Sequence, residues 1–285
     1  MLPGTAIVVP GRAGRPARSL LAGAEFAPGS SVDVNQLDGF DPSQTQAFAG
    51  VSPRAITRAS ALLNRLGRRL HVEIEGIERI PKGRCLIVAN HTLGWDVAFA
   101  VAAVFRETER VVWSLGEHAW WRFPFVRRLA VQLGTVDGTP ENADKLLSGE
   151  QMVLVLPGGL RESVKPHELR YRLLWGRRYG FVKTAIRNQA PIVPLAMVGA
   201  DDVFDLVGDA MSRGRRLGFP IPRPAHWLPI PHRVKLKGIF GDPVEIRARP
   251  EEAEDASTLR RVRREVEGAL HELLDEELAR RAGIL

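Results

Sequence analysis

Three uninterrupted apolar runs constrain the fold of this chain more than any other feature. They span residues 85–89, 152–156 and 191–198, and each is rich in Val, Ile or Leu. Strands buried on both faces have this composition, and they occur in parallel sheets whose two faces are covered by helices. Segments with helical patterns separate the runs, as the α/β class requires. The sequence therefore predicts an α/β fold with a mixed, mostly parallel sheet flanked by helices.

Polar or glycine residues follow each of these runs directly. Asn90 and His91 follow the first run, Gly158 and Gly159 follow the second, and Gly199 follows the third. If the strands run parallel, these ends meet at one edge of the sheet, where ligand sites of α/β proteins lie. We therefore expect the functional site at this edge.

The first strand end carries the strongest candidate for catalysis. Asp96 follows His91 by five positions and opens an apolar segment, residues 97–105, that suits a buried helix. A carboxylate beside an imidazole can fix its tautomer and stabilise the imidazolium that forms when the ring takes a proton. His91 is thus a candidate general base for a hydroxyl, with Asp96 as its partner. In the alternative interpretation, Asp96 only caps the helix and His91 is an ordinary loop residue.

The second strand end reads Pro157-Gly158-Gly159-Leu160-Arg161-Glu162. Two glycines let backbone amides approach a ligand closely and are candidates to stabilise an oxyanion. Arg161 can bind a phosphate or a carboxylate through its forked guanidinium. The alternative is a tight turn with the arginine in solvent.

Two segments that flank the predicted strands are candidates for contact with a membrane. A helix predicted to begin at Ser52-Pro53 has leucines on one side and arginines on the other, so it either lies on an anionic membrane or caps the domain. An aromatic and basic cluster at residues 120–128 fits a membrane interface or helix packing. We also predict a hairpin over residues 235–246, a C-terminal helix over 257–280, and a flexible extension over 1–50.

Charge and missing motifs narrow the classes of function. The net charge of +7 permits an anionic partner such as a membrane, a nucleotide cofactor or nucleic acid, although no nucleic-acid module is recognisable. The sequence has no G-x-S-x-G elbow, P-loop or zinc-ligand cluster, so no metal is expected. No apolar run reaches the roughly 18 residues of a membrane span, and no signal peptide is evident. We expect a protein at the cytoplasmic face of a membrane, attached peripherally.

Taken together, several ordered blocks resemble the glycerolipid (lysophospholipid) acyltransferase superfamily. They are Asn90-His91-x4-Asp96, the connection around Gly134, the block from Pro157 to Glu162, and Pro191-Ile192-Val193-Pro194, and they cover about residues 70–245 of an expected domain at 51–285. The resemblance implies that the histidine deprotonates an acceptor hydroxyl, which attacks an acyl thioester of coenzyme A or carrier protein without any other cofactor. It assigns the catalytic roles to His91 and Asp96. It assigns substrate binding to Asn90, Gly134, Gly158, Gly159, Arg161 and Glu162.

The departures from that family concern the acceptor. Phosphatidate-forming members usually carry a glutamate where this chain has Gly158 and a threonine where it has Leu160, and Pro140 occupies the position of an arginine that helps to hold acceptor phosphate. The P-G-G-x-R-E form is more similar to the branch with monoacylglycerol and diacylglycerol acyltransferases. We expect acyl transfer from acyl-CoA to a lipid acceptor, a lysophospholipid, monoacylglycerol or diacylglycerol. The alternatives are a non-glycerol acceptor such as a glycolipid, or a non-catalytic lipid-binding protein on the same fold.

Overall fold

A computed structural model describes residues 50–92, 95–118, 121, 123–208, 210, 223, 232 and 234–284. The predicted extension over residues 1–50 lies outside this part of the chain, apart from Gly50. Trp120 and Arg122 of the aromatic and basic cluster also lie outside it.

Seven strands of the described chain form one sheet in the order β1-β7-β6-β2-β5-β3-β4. The five neighbouring strands β6, β2, β5, β3 and β4 run parallel to one another. Strand β7 is antiparallel to β6 and parallel to β1. The predicted mixed, mostly parallel sheet is confirmed. Its strands are β1 (Glu73–Glu75), β2 (Cys85–Ala89), β3 (Val112–Gly116), β4 (Thr135–Asp137), β5 (Met152–Val155), β6 (Ile192–Val198) and β7 (Lys237–Phe240).

Helices flank this sheet, and local sequence signals explain where several of them begin. The Ser52 hydroxyl accepts a hydrogen bond from the Ala55 amide at 3.3 Å, and the Asp255 carboxylate accepts one from the Thr258 amide at 2.7 Å. Such caps satisfy amides that have no partner within the helix. The α-helices in the described residues are α1 (Pro53–Arg69), α2 (Val97–Thr108), α3 (Pro124–Gln132), α4 (Pro140–Ser148), α5 (Gly159–Ser163), α6 (Gly180–Asn188) and α7 (Ala256–Arg281).

Strand β2 lies at the centre of the core and has buried residues throughout. Leu86 and Val88 pack in a cluster that includes residues of α6 and α7, whereas Ile87 packs in a second cluster with residues of α2. Successive side chains of a strand point to opposite faces, so both faces of β2 are covered. This explains why its sequence is apolar without alternation.

Two local predictions are wrong. The two arms of the predicted hairpin at 235–246 pair with β6 instead of each other, since β7 forms an antiparallel ladder with β6 and Val244 bridges to Ile192. In addition, residues 133–138, predicted as a turn-rich connection, contain β4. A three-residue strand is too short to give a hydrophobic pattern.

Candidate active site

The ends of β2, β5 and β6 meet at one edge of the sheet, as the sequence predicted. These strands are parallel neighbours, and Val88 lies in register with both Val155 and Pro194. A cavity of about 730 Å³ opens at this edge and continues between α1, α2 and the sheet. Most of its wall is apolar, and His91 lies in it. The apolar side chains of the wall include Ile56, Leu63, Val97, Val101, Leu115, Leu154, Leu156 and Phe181.

The His91 ring is held by a backbone carbonyl. Its Nδ1 atom lies 3.1 Å from the Gly159 oxygen. A carbonyl can only accept a hydrogen bond, so Nδ1 carries the proton and Nε2 keeps its lone pair. Burial lowers the pKa of His91 to about 4, so the ring is neutral at pH 7. A neutral ring with an available lone pair is the form that a general base requires.

Asp96 is fully buried, and no partner of its carboxylate is found in the part of the chain that the structure describes. Within the residues that the structure describes, neither of its oxygens has a hydrogen-bond partner. Burial raises the pKa of Asp96 to about 7, against the opposing effect of the Val97 and Asp96 amides. The expected hydrogen bond between Asp96 and His91 is therefore absent, and the Gly159 carbonyl fixes the tautomer instead.

The helix-capping interpretation of Asp96 holds only for its position, directly before α2. An N-cap residue has an extended backbone, and its side chain accepts a bond from the first helical turn. Asp96 has a helical backbone, with φ −64° and ψ −46°, and its side chain makes no capping bond to α2. The expected contact between this carboxylate and the imidazole is not formed, and the capping role is limited to the position of Asp96 at the start of α2. Its burial without a partner is costly to the fold.

Glu162 joins three segments of the site. One carboxylate oxygen accepts the His91 amide at 2.8 Å, and the other accepts the Leu174 amide at 2.6 Å. The side chain is fully buried, and burial raises its pKa. A Cβ atom on Gly158 would lie 2.1 Å from this carboxylate. Glycine at position 158 is thus needed to admit Glu162, and Glu162 positions His91 through its backbone.

Asn90 and Gly134 hold the framework of the site. The Asn90 amide nitrogen donates to the Met197 carbonyl at 2.9 Å, and its oxygen accepts the Met197 amide at 2.7 Å, which links the end of β2 to β6. Gly134 has a φ of +82° and leads into β4 against Val111. Neither residue is among those lining the cavity.

Gly159 is the predicted substrate-binding residue that lines the cavity. Asn90, Gly134, Gly158, Arg161 and Glu162 do not belong to its wall, and their role in substrate binding stays a prediction. Arg161 is exposed instead. The Gly159 amide donates to the Leu156 carbonyl at 3.0 Å, so it is not free to stabilise an oxyanion.

A buried ion pair behind His91 was not predicted from the sequence. The Lys165 ammonium lies 2.8 Å from the Asp201 carboxylate, and each side chain is 3% exposed. Lys165 also donates to the His91 carbonyl at 3.3 Å. Asp201 accepts hydrogen bonds from the Thr92 hydroxyl and the Tyr171 amide. These contacts tie the segments after β2, α5 and β6 together, and no local pattern signals a pair so far apart in sequence.

Replacing Glu162 with alanine is expected to lower the free energy of unfolding by about 2–4 kcal/mol, because two partly buried amides lose their charged acceptor. Urea denaturation measures this change. Glu168 is exposed in the same segment, so Glu168→Ala serves as the control. Equal stability of the two variants would contradict the positioning role of Glu162.

The fold and the site define an α/β protein with an apolar pocket at the carboxyl ends of parallel strands, and one histidine, His91, lies in the pocket wall. Residues 71–198 match the family model described as Acyltransferase. The resemblance inferred from the ordered blocks is confirmed. The matched segment contains β1 to β6 and includes His91, Asp96 and the block from Pro157 to Glu162.

Several known proteins are similar to this chain. An uncharacterized protein of Mycobacterium tuberculosis is 30% identical over 187 residues, which cover 61% of this chain and 52% of that protein. A mouse protein described as a DGAT1/2-independent enzyme synthesizing storage lipids is 28% identical over 174 residues, which cover 60% of this chain and 52% of that protein. The chain spans about half the length of these curated relatives. The crystal structure of the 1-acyl-sn-glycerophosphate acyltransferase PlsC from Thermotoga maritima matches with a TM-score of 0.49 and 20% identity, over 75% of this chain and 79% of that chain.

Proposed function

We propose that this protein transfers a fatty acyl group from an acyl thioester, acyl-CoA, to a hydroxyl of a glycerolipid at a membrane surface. The observation that carries the proposal is the neutral His91 ring, with its Nε2 lone pair available, in the wall of an apolar cavity. The match of residues 71–198 to the Acyltransferase family model supports the same reaction class.

The cavity suits a fatty acyl chain. Its volume of about 730 Å³ lies within the range of roughly 300–1,000 Å³ that small-molecule sites occupy. Aliphatic side chains from α1, α2 and the sheet cover most of the wall. Burying the methylene groups of an acyl chain there is favourable by about 0.8 kcal/mol for each group.

In the proposed mechanism, His91 acts first as base and then as acid. Nε2 takes the proton of the acceptor hydroxyl while that oxygen attacks the thioester carbonyl carbon. The carbon–sulfur bond then breaks, and the departing thiolate takes the proton from Nε2. The Gly159 carbonyl keeps the ring oriented and favours the imidazolium that forms in between.

The acceptor class rests on two observations. The block from Pro157 to Glu162 has the P-G-G-x-R-E form. The mouse, bovine, chicken and human relatives share a description as enzymes synthesizing storage lipids. Both favour a glycerolipid such as monoacylglycerol or diacylglycerol over a glycolipid.

The direct test incubates purified protein with labelled acyl-CoA and a panel of lysophospholipids, monoacylglycerol, diacylglycerol and glycolipids. Mass spectrometry of the products identifies the acceptor. We expect an acylated glycerolipid. Lipid binding without any acylated product would favour a non-catalytic lipid-binding protein. If a glycolipid is the only acylated product, the acceptor is a glycolipid and not a glycerolipid.

We further propose that α1 and α3 attach the protein to an anionic membrane. No helix in the described part of the chain is both long enough and apolar enough to cross a bilayer. The two helices nevertheless expose large apolar side chains next to arginines, including Arg65, Arg127 and Arg128. We call the exposed apolar residues of α1, α3 and their ends the docking surface: Leu62, Leu66, Leu70, Phe123, Phe125, Val126, Leu129 and Leu133.

This surface suits a lipid partner because it adjoins the cavity. Ile56 of α1 and Leu133 after α3 both line the cavity. Exposed aromatic side chains can enter the acyl boundary of a membrane while arginines meet anionic headgroups. An acyl chain or a lipid acceptor would then reach the cavity without crossing water.

Replacing Phe125, which is 80% exposed, with aspartate is expected to weaken binding to anionic vesicles by about 10- to 100-fold, since an apolar contact is lost and a negative charge is added. Vesicle flotation measures the binding. Ile284 is 76% exposed at the other end of the described chain, so Ile284→Asp is the matched control. If both variants float like the unmodified protein, the docking surface is misassigned.

A further inference from the structure

Two arginines at the cavity have no role in the mechanism above. Arg177 and Arg178 both line the cavity and are exposed, so they lie where it opens to solvent. Arg161, the arginine expected from the sequence to bind an anion, is not part of this wall. The cationic groups at the site thus come from the segment before α6.

Arg178 is held directly beside the catalytic histidine. Its Nη1 atom donates to the Pro157 carbonyl at 2.7 Å. A Cβ atom on Gly159 would lie 2.8 Å from Nη1, so the guanidinium covers the glycine that orients His91. Its positive charge is close enough to lower the pKa of His91.

The segment that carries both arginines is firmly anchored. Trp175 is 1% exposed and packs edge-on against Phe181, with ring centroids 5.2 Å apart. Arg263 of α7 donates to the Gly176 carbonyl, and its guanidinium lies 5.2 Å from the centre of the Tyr179 ring. Contacts on both sides of the pair therefore fix its position.

The positive charge of this pair is not neutralised by the protein. Within the described residues, Arg177 makes no ion pair or side-chain hydrogen bond, and Arg178 bonds to an uncharged carbonyl. The first turn of α6, which follows at once, contains no acidic side chain. Glu117 also lies in the cavity wall, but no ion pair joins it to either arginine in the structure described.

We propose that Arg177 and Arg178 bind a phosphate group at the opening of the cavity, next to His91. Guanidinium groups recognise phosphate through paired, charge-assisted hydrogen bonds. The proposal rests on the proposed function, in which two substrates can supply this chemistry. The phosphate belongs either to the coenzyme A part of the donor or to the headgroup of a phosphorylated acceptor.

The first test measures binding of CoA and of glycerol 3-phosphate to the full chain by calorimetry. Arg177→Gln and Arg178→Gln are each expected to weaken binding of one probe by about 10- to 100-fold, as the loss of a charge-assisted bond predicts. Arg172→Gln removes an exposed arginine from the same segment and serves as the control. Arg178→Lys keeps the charge, so its affinity for the probe should lie between those of Arg178→Gln and the Arg172→Gln control.

Kinetics identify the source of the phosphate. If the donor supplies it, Arg178→Gln raises the KM for acyl-CoA by a larger factor than the KM for acyl-N-acetylcysteamine, a thioester without phosphate. If the acceptor supplies it, the variant loses a larger share of its activity on lysophosphatidate than of its activity on monoacylglycerol. Behaviour like that of Arg172→Gln in every assay would overturn the site, as would failure of the unmodified protein to bind either probe.

The two proposals fail in distinguishable ways. Arginine-dependent binding of CoA without any acyl transfer would preserve the phosphate site and refute the proposed function. If acyl transfer is unchanged when either arginine is replaced, the proposed function stands and the phosphate site is refuted.

Discussion

Replacing His91 with alanine is expected to reduce acyl transfer by about 10²–10⁴-fold, the usual contribution of a general base. The substitution removes the His91 ring, which lines the cavity, and with it the Nε2 lone pair. It also removes one hydrogen bond, to the Gly159 carbonyl, so the free energy of unfolding should change by only about 1 kcal/mol. Acyl transfer from labelled acyl-CoA and urea denaturation measure the two quantities.

An exposed histidine gives the matched control. His271 lies on the outer face of α7, and His271→Ala should leave acyl transfer unchanged. Retention of activity in His91→Ala would refute the mechanism. Loss of activity with vesicle binding intact would exclude the interpretation as a mere lipid-binding protein.

The same residue sets the expected pH dependence. The base must be unprotonated, and burial lowers the pKa of His91 to about 4. Activity should therefore be lost as the pH falls through about 4, well below the ordinary histidine range near 6.5. A midpoint near 6.5 in kcat/KM would show that the free ring is far more solvated than this structure indicates.

The second large effect concerns stability, which we expect to increase when Asp96 is replaced with asparagine. The pKa of Asp96 in the folded protein is about 7, against 3.8 for an ordinary aspartate. Between these values the folded state binds more protons than the unfolded chain, so the stability of the unmodified protein falls as the pH rises through this window. Asparagine does not ionise, so the stability of the variant does not fall in this window.

At pH 8 the Asp96→Asn variant should thus be more stable by about 1–3 kcal/mol, and the difference should shrink as the pH falls towards 4. Denaturation at a series of pH values measures it, with Asp275→Asn on the exposed side of α7 as the control. We expect acyl transfer to decrease in the same variant. A carboxylate that lowers stability yet supports activity is characteristic of a functional group.

Two other results would change the assignment of Asp96. A less stable variant at pH 8 would mean that the carboxylate has a structural partner. Full activity together with higher stability would remove Asp96 from the catalytic machinery.

The sequence predicted the framework of the site more accurately than its contacts. The apolar runs identified β2, β5 and β6, and the residues after them lie at one edge, because parallel neighbours bring their carboxyl ends together. Gly158 and Gly159 were singled out for close approach to a ligand. The structure uses one to admit the Glu162 carboxylate and the other to hold the His91 ring.

The errors have a common origin. Glu162 and Arg161 are adjacent in sequence, yet the first is fully buried beneath His91 and the second is exposed. Arg178, in contrast, reaches the cavity from a segment with no recognisable motif. Local pattern gives the type of element, but it does not give the direction in which each polar side chain points.

The sequence by itself determined the α/β class, the positions of its main strands along the chain and the loop on which His91 lies. These depend on hydrophobic periodicity and turn chemistry, which act between near neighbours in the chain. The tertiary structure alone decided that the His91 ring bonds to Gly159, 68 positions away, and not to Asp96, five positions away. It also paired Lys165 with Asp201 and placed Arg178 over Gly159. Such partners are chosen by the packing of distant segments, because a buried polar group takes whichever partner the completed fold brings within hydrogen-bonding distance.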